Sequence, residues 1–138
     1  MLACPKVLLL STDKEETSEM DKILREHVIL RSVGDLAELS NHLDGDYDAV
    51  FCGWSFQKRG WNDALGELRK RYPALPVVIF SRMGGEKEWV EALQAGAFDL
   101  LVAPYLKRNV LPLLEHAVAS HEARRAHNIA FHSSAMAG

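Results

Sequence analysis

Five short, unbroken apolar runs limit what this chain can fold into. They are Val7–Leu10 (V-L-L-L), Val28–Leu30 (V-I-L), Ala49–Cys52 (A-V-F-C), Val77–Phe80 (V-V-I-F) and Leu100–Val102 (L-L-V). None alternates apolar with polar residues, as a strand with one wet face does. Continuous runs predict strands buried on both faces, with helices covering the sheet on each side. The third and fourth are rich in β-branched and aromatic residues, which suit a pleated, buried surface.

Helical patterns fill the gaps. Met20, Ile23 and Leu24 share one face of a segment that Ser11, Thr12 or Asp13 can cap, with Glu15 and Glu16 suited to a helix N-terminus. Leu36, Leu39 and Leu43 follow Gly34-Asp35, and D-G-D ends that pattern. Trp61, Leu65, Leu68 and Tyr72 form a stripe ended by Pro73; Trp89, Val90 and Leu93 form another, ended by Gly96 as a left-handed cap. The last stripe is Val110, Leu114, Ala117, Val118 and His121, with Pro112 placed in its first turn, where a missing N–H matters little. Strands alternating with helices predict an α/β fold with a parallel, doubly wound sheet. Residues 1–125 are expected to form the domain, and 126–138 a C-terminal helix extension or tail.

At 138 residues the chain suits one domain, and a formal net charge of −3 argues against a general nucleic-acid or membrane-surface binder. The two cysteines, Cys4 and Cys52, form no C-x-x-C pair, so neither a zinc site nor a disulfide framework is suggested, and a reducing, cytoplasmic setting fits best. No export signal or membrane span is expected from the sequence.

In an open parallel sheet, ligands bind beyond the carboxyl ends of the strands. The residues there are Ser11, Thr12 and Asp13 after the first run, Gly53 and Trp54 after the third, Ser81 and Arg82 after the fourth, and Ala103 and Pro104 after the fifth. Around them, K-V-L-L-L, Y-D-A-V-F-C-G, L-P-V-V-I-F-S and A-L-Q-A-G-A-F-D-L-L-V-A-P-Y stand in order. Over roughly residues 5 to 121 this pattern resembles the receiver domain of bacterial two-component response regulators (CheY-like). The resemblance implies a flavodoxin-like (βα)5 fold with strand order 2-1-3-4-5.

It also implies a chemistry. The family uses two acids after the first strand to hold Mg²⁺ and an aspartate after the third to accept a phosphoryl group. A Ser or Thr after the fourth and a Lys after the fifth contact the phosphoryl oxygens. A carboxylate nucleophile needs a hard cation and fixed positive charge to accept a dianionic group. Here the acidic pair falls on Ser11 and Thr12, the acceptor on Gly53, and the lysine on Ala103; only Ser81 matches. The aromatic switch position of the fifth strand falls on Leu100. The resemblance therefore implies a degenerate receiver, a pseudo-receiver that keeps the fold without phosphorylation by the usual route.

Each residue singled out has a plainer reading beside the functional one. Asp13 is either a lone pocket carboxylate or a helix N-terminal residue. Cys52 points away from the tip and suits a buried thiol better than a nucleophile. Ser11, Thr12, Ser81 and Arg82 form an anion-binding rim or ordinary loop contacts. Trp54 and Phe56 fill the vacant pocket or form a partner-binding patch, while Trp61 serves helix packing. His116, His121, His127 and His132 are spaced by five, six and five, which does not suit helical metal ligands. The basic runs Lys58-Arg59 and Arg69-Lys70-Arg71 read as solvated faces. A displaced acceptor at Asp13 or Asp48 is the least favoured alternative, since Asp48 opens its strand.

The expected function is a non-enzymatic signalling module of the two-component or phosphorelay lineage, acting by contact with a kinase, output domain or other signalling protein. The family's interaction face, formed by the fourth helix, fifth strand and fifth helix, carries Trp89, Leu100 and Tyr105 here and suggests a homodimer. The alternative is a small-molecule or anion-binding module at the strand tips. No cofactor and no metal are expected.

Overall fold

Each apolar run becomes a strand of one parallel sheet, because each is followed by a helix long enough to carry the chain back across it. The computed structural model describes residues 4–41, 47–56 and 60–137. In order the elements are β1 (Lys6–Leu10), α1 (Lys14–Leu24), β2 (Ile29–Val33), α2 (Leu36–Asn41), β3 (Ala49–Gly53), α3 (Trp61–Arg71), β4 (Val77–Ser81), α4 (Glu86–Ala95), β5 (Asp99–Val102) and α5 (Lys107–Ala137). The strands lie side by side as β2-β1-β3-β4-β5, all parallel. This is the order 2-1-3-4-5.

Alternation along the strands splits the core in two. Leu8, Leu10, Val50, Cys52, Val77, Ile79 and Leu100 face one side, where α3 packs with Trp61, Leu65 and Leu68. Val7, Leu9, Ala49, Phe51, Val78, Phe80 and Leu101 face the other, against Met20 and Leu24 of α1 and Val110 and Leu114 of α5. Strands β1, β3 and β4 are buried on both faces, as the unbroken runs require.

Three expectations are corrected. The second strand runs Ile29–Val33 rather than over V-I-L, and it is not buried on both faces: Ile29 is 58% exposed and Arg31 and Ser32 face solvent. Among the described residues it is the sheet's edge, paired only with β1. A run of apolar residues does not reveal whether a neighbour lies beyond it. In α4 the buried residue is Ala92, while Trp89 and Val90 are exposed. Helix α5 starts at Lys107, so Pro112 sits in its second turn, not its first. There its missing N–H leaves the Arg108 carbonyl without a helical partner. Leu43 and the D-G-D break lie outside the described residues.

Helix ends behave as the sequence suggests. Asp13 is the N-cap of α1, its Oδ1 accepting from the backbone N–H of Glu15 at 2.9 Å and Glu16 at 3.1 Å. Gly96 caps α4 at φ 106°, the left-handed region that a side chain disfavours. Space adds a second reason. A Cβ there would lie 1.6 Å from Arg69 Nη1. That guanidinium donates to the Ala95 carbonyl at 3.2 Å, so Arg69 is more than a solvated charge. The pair Lys58-Arg59 lies outside the described residues.

Candidate functional site

The carboxyl ends of the strands form two differently built halves. The first surrounds Gly53. Its neighbours are fixed by backbone: Trp54 N–H donates to the Phe80 carbonyl at 2.8 Å, and Phe56 N–H to the Gly53 carbonyl at 3.0 Å. A Cβ at Gly53 would meet the Phe80 ring at 3.4 Å and the Leu10 carbonyl oxygen at 3.6 Å. The position thus admits a side chain but surrounds it with an aromatic edge and a carbonyl. Phe56 is fully buried, in the cluster that holds Trp61 and Leu65. Trp54 is half-buried and stacks on Trp61, with ring centroids 4.7 Å apart. Phe56 therefore fills space rather than offering a patch. Trp54 keeps one face toward a cavity of about 800 Å³ that also borders Asn62, Ser81, Arg82, Lys87 and Glu91.

The second half is charged, and its centre is Glu16. This carboxylate is only 3% exposed. Its Oε2 accepts a 2.6 Å hydrogen bond from the Tyr105 hydroxyl, and its Oε1 lies 3.5 Å from the Ser55 hydroxyl. Burial, and then the hydrogen bond to Glu16, push the Tyr105 hydroxyl's pKa far above its ordinary value. Over this pair lies Arg82. Its guanidinium is 3.5 Å from Asp13 and from Glu15, and 3.8 Å from Glu16 and from Glu19. Desolvation works against its charge, but Asp13, Glu16, Glu19 and Glu15 outweigh it and hold the guanidinium more firmly protonated.

The remaining candidate residues are distributed as follows. Ser81 is buried at the tip of β4; its hydroxyl donates to the Met83 carbonyl and accepts from the Met83 N–H at 3.2 Å. Ala103 is half-buried, its N–H donating to the Ser81 carbonyl at 2.9 Å. Ser11 donates to the Asp13 carbonyl at 3.4 Å and Thr12 to the Ser55 carbonyl at 3.3 Å. These two border a separate cleft of about 570 Å³ toward Ser18 and Gly34, away from Ser81 and Arg82. The four residues therefore do not form a single anion-binding rim, and the one guanidinium among them already faces four carboxylates.

On the interaction face the picture is mixed. Trp89 is 46% exposed and its Nε1 donates to Asp99 at 3.0 Å. Leu100 and Tyr105 are buried, contrary to a role as contact residues. Leu100 faces the sheet's α3 side, and Tyr105 points inward to Glu16 and edge-on to Phe80.

Cys52 is buried between sheet and helix, and burial pushes its thiol far above the usual range, so it stays protonated. Asp48 lies at the opposite end of the sheet from the tips, accepting from Lys6 N–H at 2.8 Å, with His121 at 3.7 Å. Among the described residues no group of three His, Cys, Asp or Glu could hold a metal ion. The side chains of His127 and His132 lie outside those described.

Sequence reasoning missed Glu16. The signal was present: Glu16, Met20, Ile23 and Leu24 stand at i, i+4, i+7 and i+8, so the buried stripe of α1 begins with an acid.

No family model matches the chain. It is 44% identical to the response regulator protein FleR of Pseudomonas aeruginosa over 55 residues, which is 39% of this chain and 12% of FleR. It is 33% identical to the transcriptional regulatory protein ZraR of Escherichia coli over 73 residues, 53% of this chain and 17% of ZraR. The chain thus spans a small part of the curated relatives it matches. In fold it is similar to the CheY-like response regulator receiver domain protein of Methanospirillum hungatei, with a TM-score of 0.76 at 15% identity over 88% of this chain and 99% of that one. The response regulators that share its sequence, together with the five-stranded sheet ordered 2-1-3-4-5, support a receiver domain.

Proposed function

We propose that this receiver domain signals without being phosphorylated, by contact with a protein partner, and is not itself an enzyme. The observation that carries the reading is Gly53. It stands at the tip of β3 with no side chain to take a phosphoryl group, beside the Phe80 ring rather than beside metal-binding acids. Ser11, Thr12 and Ala103, at the other tip positions, supply no carboxylate pair and no ammonium. The carboxylates of Asp13 and Glu16 face Arg82.

The partner is a kinase, an output domain or another signalling protein. The α4 and β5 surface supports a homodimer as one such contact, since Trp89, Val90, Met83 and Val102 are exposed there. Tyr105 does not contribute. No helix among the described residues is long and apolar enough to cross a membrane, and we place the domain in the cytoplasm.

Incubation with a small phosphodonor and Mg²⁺, followed by intact-mass measurement, tests the central point. The expected result is no added phosphoryl group. Stable phosphorylation at any aspartate would falsify the reading. Sedimentation at increasing concentration tests the homodimer; a monomer throughout removes it.

A further inference from the structure

We propose that Arg82 is a cation built into the chain: its guanidinium takes the place at the strand tips that a divalent metal ion takes in the family this chain resembles, and it keeps such ions out. The proposal rests on the receiver reading above, which makes a divalent ion the alternative.

The donor set does not fit a metal. A hard divalent ion draws about six to eight oxygens to one point, at roughly 2.0–2.6 Å. Among the described residues no three His, Cys, Asp or Glu side chains are grouped so that they could hold one. At the positions where the family keeps its acid pair, the Ser11 and Thr12 hydroxyls donate to the backbone carbonyls of Asp13 and Ser55.

The carboxylates that are present fit a guanidinium. That group is wide and planar, with five N–H donors in a fixed fork, so it can meet acids that stand apart. Nη2 of Arg82 lies 3.5 Å from Asp13 and from Glu15 and 3.8 Å from Glu19, while its Nε lies 3.8 Å from Glu16. All four acids come from the N-cap and first two turns of α1, and the cation comes from the residue that follows β4.

One of the four demands such a cation. Glu16 is buried, and a carboxylate taken out of water needs both hydrogen bonds and opposite charge. The Tyr105 hydroxyl supplies a hydrogen bond but no charge, and so does the more distant Ser55 hydroxyl. Among the described residues Arg82 is the cation that reaches Glu16. Because it belongs to the chain, it is present at every ion concentration. The electrostatic state of the tips then does not follow the supply of divalent ions.

Electron paramagnetic resonance of free Mn²⁺, titrated with the full chain and no phosphodonor, tests this. Wild type is expected to leave the free-ion signal intact, with any affinity weaker than about 10⁻³ M, the weak end of the range for Ca²⁺ sites. Arg82→Ala removes the cation that the four carboxylates share, and it is expected to bind Mn²⁺ severalfold more tightly. Lys70→Ala, which removes a positive charge from α3, is expected to match wild type. Saturable binding by wild type, or equal titrations for Arg82→Ala and Lys70→Ala, overturns the proposal. A second measurement needs no variant to fold. An ion bound to the folded state raises its stability, so thermal melts of wild type in MgCl₂ and in NaCl of equal ionic strength should coincide. A rise specific to Mg²⁺ overturns the proposal. Phosphoryl uptake, read only when a donor is added, would overturn the proposed function and is a separate result.

Discussion

The two halves of the strand tips solve opposite problems. Around Gly53 the packing is aromatic, from the adjoining Phe80 ring, the buried Phe56 and Trp54 stacked on Trp61. Around Glu16 there is buried charge, and it is met by Arg82 and by the Tyr105 hydroxyl. Aromatic packing is short-ranged and depends on shape, so it should be sensitive to volume and indifferent to salt. Ion pairs at a half-exposed rim should be sensitive to salt and nearly indifferent to volume. The contrast predicts that substitutions in the two halves fail in different ways.

The largest effect belongs to the apolar half. Phe56→Ala should lower unfolding free energy by about 3–5 kcal/mol, the range for deleting a buried aromatic ring. Urea titration checks it, and the loss should be the same at low and high salt. A loss below about 1 kcal/mol would mean that Phe56 is not part of the core.

Next comes Tyr105→Phe, which leaves the buried Glu16 carboxylate without its 2.6 Å donor. The expected loss is about 1–3 kcal/mol. The same residue sets a pH signature. Its folded pKa is raised above the ordinary 10.0, as that of Cys52 is above 9.0, so the folded state holds both protons where the unfolded chain releases them. Stability from these two groups is intact below pH 9 and falls as pH rises beyond it. Thermal melts between pH 7 and 11 should show the decline, and Tyr105→Phe should make it shallower. A flat profile would contradict the raised values.

A smaller effect is expected far from either half. Ile29→Thr on the edge strand should change stability by less than about 1 kcal/mol, because Ile29 is already more than half exposed. If its effect equals that of Phe56→Ala, β2 is buried by something beyond this chain. The smallest effect expected is that of Gly53→Asp on phosphoryl transfer. The new Cβ has room, but its carboxylate gains neither an acidic partner at Ser11 and Thr12 nor an ammonium at Ala103. Intact mass after treatment with a phosphodonor and Mg²⁺ should remain unshifted; restored transfer would show that Gly53 alone blocks the chemistry.

Much of the architecture is legible in the sequence because strands and helices declare themselves locally. The unbroken runs at Ala49–Cys52 and Val77–Phe80 can hardly be anything but central strands, and Gly96 marks a helix end by its chemistry. The emptiness of the acceptor position is also visible, since a glycine needs no coordinates to be recognised. Less visible is which faces lack a cover. Val28–Leu30 looks as buried as any other run, and only the strand order makes it an edge. In α4 the large residues Trp89 and Val90 point outward, and the small Ala92 is the buried one. The charged half was least legible. Arg82 meets Asp13 across 69 positions of chain, and no local period records such a pairing. Glu16 could have been found as the acid that opens a buried stripe, but nothing in its neighbourhood names Tyr105 as its donor.

The contact between Arg69 and Gly96 has a mechanical meaning. It secures the rear end of α4, where a neighbouring helix supplies the bond and a glycine the room. Ten residues at 1.5 Å each make α4 a rod of roughly 15 Å. Pinned at one end, such a rod turns rather than slides. A tilt of about 10° about Gly96 would carry its front end roughly 2.6 Å, so a small motion at the pivot becomes a displacement that a partner surface can feel.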